Sequence, residues 1–133
     1  MKLAELQAGE SLESTQLDPV TRLDLIKYAG ASGDYNPIHT IDEEAKKAGL
    51  PGIIAHGMWT MGNLSKLFTS FYEEGYMEDY LIRFKGMVFL NDSITLKAVL
   101  HEKEGNKLHF KVAAVNQDDR EVIKGTVVFV QYE

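Results

Sequence analysis

The sequence predicts an α+β fold in which an antiparallel sheet wraps around one long helix. Residues 57–72 place apolar side chains at helical spacing, with Lys66 as the one charged residue between positions 58 and 71, which favours burial on most sides. After Gly75 the apolar spacing changes from helical to alternating, as it does in strands. A sheet folded around one helix is the economical way to bury that helix, so we predict a single domain over residues 1–133.

Helices and turns are predicted before residue 57. Residues 12–17 are predicted as a short first strand. Thr21, with Asp24 three positions later, is a helix-start pattern, and the helix that follows is expected to end within residues 30–33. Its apolar face is expected to contain Leu23, Ile26 and Tyr28 or Ala29.

A second capping pattern, over residues 40–43, predicts a short helix that Gly49 ends. Residues 50–55, which include a proline and a glycine, are predicted as the loop before the long helix. The long helix itself is expected to end at residues 73–75, where two acids and a glycine follow its last aromatic residue.

Four strands are predicted after the long helix, joined as an antiparallel meander. They cover residues 80–89, 93–103, 108–114 and 121–131. Short polar turns separate them at residues 91–92, 104–106 and 117–120. In a meander each strand pairs with the next one along the chain, and this is the pairing that we expect.

Composition and charge exclude several classes of protein. The 133 residues are 44% hydrophobic and 26% charged, so the chain can build a core. It has no cysteine, which excludes disulfides, thiolate catalysis and cysteine-ligated metals. The net charge of -6, without a dense basic cluster or a glycine-rich phosphate loop, argues against nucleic-acid and nucleotide partners. No apolar stretch suits a membrane span or a secretion signal, so we expect a cytoplasmic protein.

Two short motifs contain the residues best suited to chemistry. Asp34 and His39 lie five positions apart across a turn that Asn36 and Pro37 favour, so an acid and an imidazole can share one water or one substrate proton. Gly57, eighteen positions after His39, stands at the predicted start of the buried helix. Proton-transfer groups beside a helix N-terminus indicate chemistry on a carbonyl compound. By itself, an acid in such a turn more often caps neighbouring backbone N–H groups.

Two stretches of the chain closely resemble the MaoC-like dehydratases. They are residues 28–39, which read Tyr-Ala-Gly-Ala-Ser-Gly-Asp-Tyr-Asn-Pro-Ile-His, and residues 54–62, which read Ile-Ala-His-Gly-Met-Trp-Thr-Met-Gly. This family includes the (R)-specific enoyl-CoA hydratases, called hydratase 2. The local match is closest to the catalytic subunits of 3-hydroxyacyl carrier-protein dehydratases of type II fatty acid synthesis, which also read His-Gly-Met and then Thr-Met-Gly. The resemblance implies the hot dog fold and a dimer with active sites near the subunit interface.

The resemblance assigns the catalytic pair to Asp34 and His39 and expects Asn36 to line the site. It implies that Gly57 donates its backbone N–H to the thioester oxygen of the substrate. The neighbours of Gly57 complete the predicted substrate-binding residues: His56, Met58 and Trp59. His56 is expected to be a hydrogen-bond partner at the helix start, and Trp59 either lines the acyl site or packs between helix and sheet. No metal or other cofactor is implied.

The implied reaction is the reversible addition of water across C2–C3 of a 2-enoyl thioester. Negative charge builds on the thioester oxygen, where a backbone N–H can stabilise it, while the acid and the imidazole move protons. The chain departs from relatives in three places. Gly62 replaces a serine that assists the pair in some short hydratases, and Trp59 replaces a smaller aliphatic residue; these two bear on substrate size more than on reaction type. The turn at residues 89–92 replaces a Pro-Gly-Asp turn and is interpreted as turn chemistry only.

Two other functions remain open from the sequence. A hot dog thioesterase would cleave the thioester, but thioesterases of this fold generally carry an acid on the central helix, and residues 57–72 contain none. A non-catalytic hot dog subunit of a heterodimeric dehydratase would typically lose the acid–imidazole pair, which this chain keeps.

The expected partners are an acyl-CoA or acyl-carrier-protein thioester and a second copy of the chain. The sequence leaves open the length of the acyl chain and the choice between the two thioester carriers. A homodimer is expected because one short sheet leaves an edge and a face that pairing would cover. A heterodimer with a second hot dog chain is the alternative.

Overall fold

Five antiparallel strands form one sheet against a central helix in the computed structural model, which describes residues 2–133. The strands are β1 (Thr15–Gln16), β2 (Gly75–Phe84), β3 (Thr95–Glu104), β4 (Lys107–Val115) and β5 (Glu121–Gln131). The α-helices are α1 (Arg22–Ser32), α2 (Asp42–Lys47) and α3 (Gly57–Leu64), and shorter 3-10 segments cover Leu3–Glu5, Pro37–His39 and Ser65–Phe71. The predicted α+β class is confirmed. No helix within residues 2–133 has the length and apolar character needed to cross a membrane.

The strand order is β1-β3-β4-β5-β2, so the predicted meander holds for β3, β4 and β5 only. β2 pairs with β5, from Gly75 opposite Gln131 to Phe84 opposite Ile123, and not with β3 as a meander requires. The prediction was wrong because alternating apolar residues identify a strand without specifying its neighbour. The sheet therefore has β1 at one edge and β2 at the other.

β2 begins and ends five residues earlier than the predicted strand over residues 80–89. Gly75, which was expected to end the long helix, is the first residue of β2, and a side chain at this position would collide with the carbonyl of Val130. Beyond Phe84, the N–H groups of the next two residues both donate to the carbonyl of Val122, at 2.9 and 3.1 Å. The regular ladder stops there because two donors share one acceptor.

The predicted first strand, residues 12–17, follows β3 but pairs regularly only over β1. At one end, the Leu12 N–H donates to the carbonyl of Ala98 (2.9 Å). At the other end, the Leu17 N–H donates to the carbonyl of Ile94 (2.8 Å). The segment therefore lies along β3 for its whole predicted length while forming a ladder over only two residues.

α1 buries only part of the predicted apolar face, namely Ala29. Leu23 and Ile26 are 57% and 50% exposed, whereas Leu25 and Ala29, four positions apart on the helix, are buried. Apolar residues occur on both faces of α1, so their spacing alone did not determine which face packs inward.

The central helical segment covers residues 57–71 and is α-helical as far as Leu64, after which it continues as a 3-10 helix. Leu64 and Phe68 are fully buried, and the Phe68 ring packs edge-on against Phe110 with centroids 5.1 Å apart. Burying one such side chain contributes about 1.5–3 kcal/mol. Met58 is 56% exposed, so the expected burial on most sides is wrong for the first turn of α3.

A side-chain hydrogen bond ties α3 to the edge strand β2. The Tyr80 hydroxyl donates to the carbonyl of Met61 at 2.5 Å. Burial raises the pKa of Tyr80 above its usual value, so the phenol stays protonated and keeps its role as donor at neutral pH. This bond and the Phe68 contacts fix the position of α3 relative to the sheet.

Candidate active site

Asp34 follows the end of α1 and is oriented by short-range hydrogen bonds. Gly33 has a φ of 76°, a left-handed value that glycine adopts at little cost, and it turns the chain out of the helix. The Asp34 N–H donates to the Ser32 hydroxyl (3.1 Å), which in turn donates to the carbonyl of Tyr28 (2.7 Å). The Asp34 carboxylate accepts from the Asn36 N–H (3.2 Å), and its side chain is 51% exposed. The backbone is therefore held while the carboxylate remains accessible.

His39 ends the 3-10 turn that follows, and its side chain is buried. The Asn36 side chain caps this turn by accepting from the Ile38 N–H (3.2 Å). Nδ1 of His39 lies 2.7 Å from the carbonyl oxygen of Ile54. Because a carbonyl only accepts, Nδ1 carries the proton, and Nε2 of the neutral ring carries a lone pair. That Nε2 atom lies 4.0 Å from Oδ2 of Asp34.

His56 contacts both of these residues. Its ring stacks on the ring of His39, with centroids 3.9 Å apart and planes at 23°, and its Nε2 atom lies 3.1 Å from the carbonyl oxygen of Asp34. The side chain makes no hydrogen bond to the first turn of α3, which corrects the expected role at the helix start. Burial lowers the pKa of His56 below its usual value, and the hydrogen bond with the Asp34 carbonyl opposes this shift.

Gly57 begins α3, so its backbone N–H has no partner within the helix. A side chain at this position would place its Cβ atom 2.9 Å from Cε1 of Phe84. Phe84 comes from the edge strand β2 and is 52% exposed. The aromatic ring and the helix start therefore approach each other closely only because residue 57 is glycine.

A cavity of about 440 Å³ brings several of these groups together. Its lining residues are Tyr28, Ser32, Asp34, His56, Gly57, Met58 and Phe84. A larger cavity of about 770 Å³ lies between residues 12–16 and the 3-10 segment after α3, and its lining residues include no histidine. Of the two, the smaller cavity combines the Asp34 carboxylate, the His56 imidazole and the N-terminus of α3.

Three of the predicted site residues do not line this cavity. His39 is buried and stacks on His56, which does line it. The Asn36 side chain is committed to capping the turn before His39. Trp59 packs against the hydrophobic core and borders a separate cavity beside Tyr28. Met58 does line the site, and His56 borders it with only 2% of its surface exposed.

The sequence pattern did not predict Tyr28, Ser32 or Phe84 as lining residues. Tyr28 and Ser32 belong to the first of the two motifs, so their place in it was a usable indication. No pattern in the sequence indicated Phe84, because this residue approaches Gly57 only through the pairing of β2 at the edge of the sheet.

Asp34, His39 and His56 also form a cluster of possible metal ligands. One possible ligand atom from each residue lies within 4.8 Å of the others. The two imidazole rings are stacked face to face, so their lone pairs lie in nearly parallel planes and do not converge on one point. Zinc–nitrogen bonds of about 2.0–2.1 Å need converging lone pairs, so this arrangement suits proton transfer better than ion binding.

For the reaction that the sequence predicts, Gly57→Ala is expected to lower kcat/KM by about tenfold, because the added methyl group must displace the Phe84 ring, with which Gly57 lines the cavity. The matched variants are Phe84→Ala alone and Gly57→Ala with Phe84→Ala. In the double variant, removing the Phe84 ring should restore at least half of the decrease in the logarithm of kcat/KM. Steady-state kinetics on the three variants test this, and a double variant as slow as Gly57→Ala would contradict it.

Residues 4–122 match the profile of the MaoC-like domain family. Among solved structures, the unliganded (R)-hydratase PhaJ1 of Pseudomonas aeruginosa is 25% identical and superposes with a TM-score of 0.88, covering 98% of this chain and 84% of that one. A MaoC-like dehydratase is 27% identical with a TM-score of 0.85, covering 99% of this chain and 42% of that one.

Two curated relatives differ greatly in length. Fatty acid synthase subunit beta of Aspergillus oryzae is 34% identical over 108 residues, which are 77% of this chain but only 5% of that protein. The mitochondrial 3-hydroxyacyl-[acyl-carrier-protein] dehydratase of Arabidopsis thaliana is 26% identical over 90% of this chain and 74% of that protein. The chain therefore corresponds to a small part of the first relative and to most of the second.

Proposed function

The chain belongs to the MaoC-like domain family, and we propose that it catalyses the reversible hydration of trans-2-enoyl thioesters and the dehydration of (3R)-3-hydroxyacyl thioesters. One observation carries this proposal. The Asp34 carboxylate lies 4.0 Å from the free Nε2 atom of His39, and Asp34 lines a cavity together with the start of α3. The predicted hot dog fold, which the solved (R)-hydratase shares with this chain, supports the same conclusion.

The acid–imidazole pair provides two sites for proton exchange. A water that hydrogen-bonds to both Oδ2 of Asp34 and Nε2 of His39 at about 2.8 Å fits across their separation. As the water oxygen attacks C3 of the enoyl group, one proton leaves the water and one proton reaches C2. General acid–base catalysis of this kind contributes about 10²–10⁴-fold. The dehydration reaction uses the same groups in reverse.

The start of α3 provides the electrostatic part of the mechanism. Attack at C3 moves electrons onto the thioester oxygen, which becomes enolate-like. The Gly57 N–H is unpaired within the helix, and the helix dipole adds a partial positive charge at the same point. A donor aimed at the developing charge lowers the barrier by about 3 kcal/mol in comparable sites.

The deciding experiment follows crotonyl-CoA with purified protein. Hydration removes the conjugated enoyl absorbance without releasing a free thiol, and chiral analysis of the product is expected to give the (R) alcohol. Loss of thioester with stoichiometric thiol release would establish a thioesterase instead. The same assay with enoyl carrier-protein thioesters and longer acyl chains determines which carrier and chain length are preferred.

We also propose that the enzyme acts as a cytoplasmic homodimer. The strand β2 is an edge of the sheet, and exposed apolar side chains cluster on and around it. They include Leu81 at 67%, Met58 at 56%, Phe84 at 52% and Met87 at 50% exposure. An unpaired edge with apolar neighbours is the kind of surface that a second chain covers.

Leu81→Glu is expected to convert the dimer into a monomer, because a carboxylate buried at this edge would lack a partner. Val99→Glu on β3, where the native side chain is 37% exposed, is the matched control and should remain dimeric. Light scattering at micromolar concentration measures both. A wild-type chain that is monomeric under these conditions would contradict the homodimer, and co-purification of a second hot dog chain would indicate a heterodimer.

A further inference from the structure

We propose that His56 is a positioning residue that holds the Asp34 carboxylate and the Nε2 atom of His39 at their working separation. This inference rests on the proposed hydratase function. It adds a role for a residue that neither the carboxylate–imidazole pair nor the backbone donor at Gly57 accounts for.

His56 touches the two members of the pair in different ways. Its ring face lies against the ring face of His39, with centroids 3.9 Å apart. Its Nε2 atom lies 3.1 Å from the main-chain oxygen of Asp34. One side chain thus supports the orientation of the imidazole and the position of the backbone that carries the carboxylate.

The two imidazoles have opposite tautomers, and backbone carbonyls determine both. The Ile54 carbonyl lies against Nδ1 of His39, and the Asp34 carbonyl lies against Nε2 of His56. Each carbonyl can only accept, so His39 is protonated on Nδ1 and His56 on Nε2. His39 consequently presents a lone pair toward Asp34, whereas His56 uses its proton to bind the backbone.

The remaining nitrogen of His56 is poorly placed for proton transfer. Its Nδ1 atom is buried and has no hydrogen-bonding partner among residues 2–133. A proton there would put a second positive charge beside His39 whenever His39 is itself an imidazolium. The buried, unpartnered Nδ1 atom therefore favours the neutral form of His56, and its ring face supports His39.

The surroundings of His56 restrict its movement. The Tyr28 ring packs edge-on against it, with centroids 4.8 Å apart, and the residue is only 2% exposed. His56 also precedes Gly57 directly, so the same residue connects the acid–imidazole pair to the helix start. A small displacement of His56 moves all three functional groups relative to one another.

The kinetic test uses two variants that each remove one contact. His56→Phe keeps a ring against His39 but removes the donor to the Asp34 carbonyl, whereas His56→Gln keeps an amide donor and removes the stacked ring. We expect each variant to lower kcat by about 10- to 100-fold, since displacements of about 1 Å cost this much, with KM changed by less than about threefold. His101→Gln, a change at an exposed histidine, should leave both constants unchanged.

Nuclear magnetic resonance of the imidazole nitrogens gives a readout that does not depend on activity. The wild type should show His39 protonated on Nδ1 and His56 on Nε2. In His56→Gln, the Nδ1 proton of His39 should exchange with solvent at least about tenfold faster, because the ring loses its cover.

Retention of kcat within about twofold of wild type in both variants would overturn the positioning role. So would a loss of kcat matched by a loss of folded protein with unchanged His39 resonances, since His56 would then act only on stability. If the wild type hydrates no thioester, the proposed function fails. The His39 exchange measurement still tests whether His56 holds that ring.

Discussion

Asp34→Asn is expected to lower kcat for hydration by at least about 100-fold while the protein remains folded. The amide is nearly the same size as the carboxylate, and its oxygen can still accept from the Asn36 N–H, which lies 3.2 Å from Oδ1 in the native protein. The side chain is half exposed, so little packing changes. The substitution removes the negative charge and the capacity to exchange a proton with the water that we propose to bridge Asp34 and His39.

Steady-state kinetics with crotonyl-CoA and a thermal melt measure the two parts of this prediction. Asp118→Asn is the matched control, because Asp118 lies in an exposed turn before β5 and its conversion should leave kcat unchanged. Turnover of Asp34→Asn near the wild-type rate would remove Asp34 from the catalytic pair.

His39→Gln is expected to have a comparable effect, a loss of at least about 100-fold in kcat. A glutamine amide can donate to the Ile54 carbonyl in place of Nδ1, but it provides no lone pair of suitable basicity at the position of Nε2. The side chain is buried, so we also expect a loss of about 1 kcal/mol in the free energy of unfolding from an imperfect hydrogen bond.

The double variant Asp34→Asn with His39→Gln distinguishes a catalytic pair from two independent residues. Groups that act as a unit show strongly non-additive effects, so the double variant should be slower than the worse single variant by no more than about tenfold. If the fold-loss in kcat of the double variant equals the product of the two single-variant losses, the two side chains act separately.

Two local features of the fold were predictable from neighbouring residues, whereas the capping pattern over residues 40–43 forms no side-chain cap at the start of α2. The capping box at the start of α1 forms as expected, with Thr21 and Asp24 exchanging hydrogen bonds of 2.9 and 3.1 Å. The turn between β3 and β4 has Gly105 at a φ of 61°, as a tight hairpin requires. Both features depend on a few adjacent residues, so the sequence contains all that determines them.

Features that depend on distant contacts were not predictable in the same way. Tertiary packing decides that β2 pairs with β5 and that Leu25 lies on the buried face of α1. A periodic pattern of apolar residues is compatible with several such arrangements. The same distinction between local and distant determinants applies to the candidate site. Asp34, His39 and Gly57 follow from two motifs, whereas Phe84 reaches Gly57 only after the sheet has formed.

The polar groups of the candidate site all lie within residues 28–57, and β2 adds only the apolar ring of Phe84. The end of this stretch is fastened to the chain before β3 by a hydrogen bond from the Ala55 N–H to the carbonyl of Val88 and by an isolated bridge between Ile54 and Phe89. Most of the sheet therefore contributes no polar group to the candidate site. The proposed chemistry thus depends on one continuous stretch of about 30 residues, which the sheet holds in place from outside.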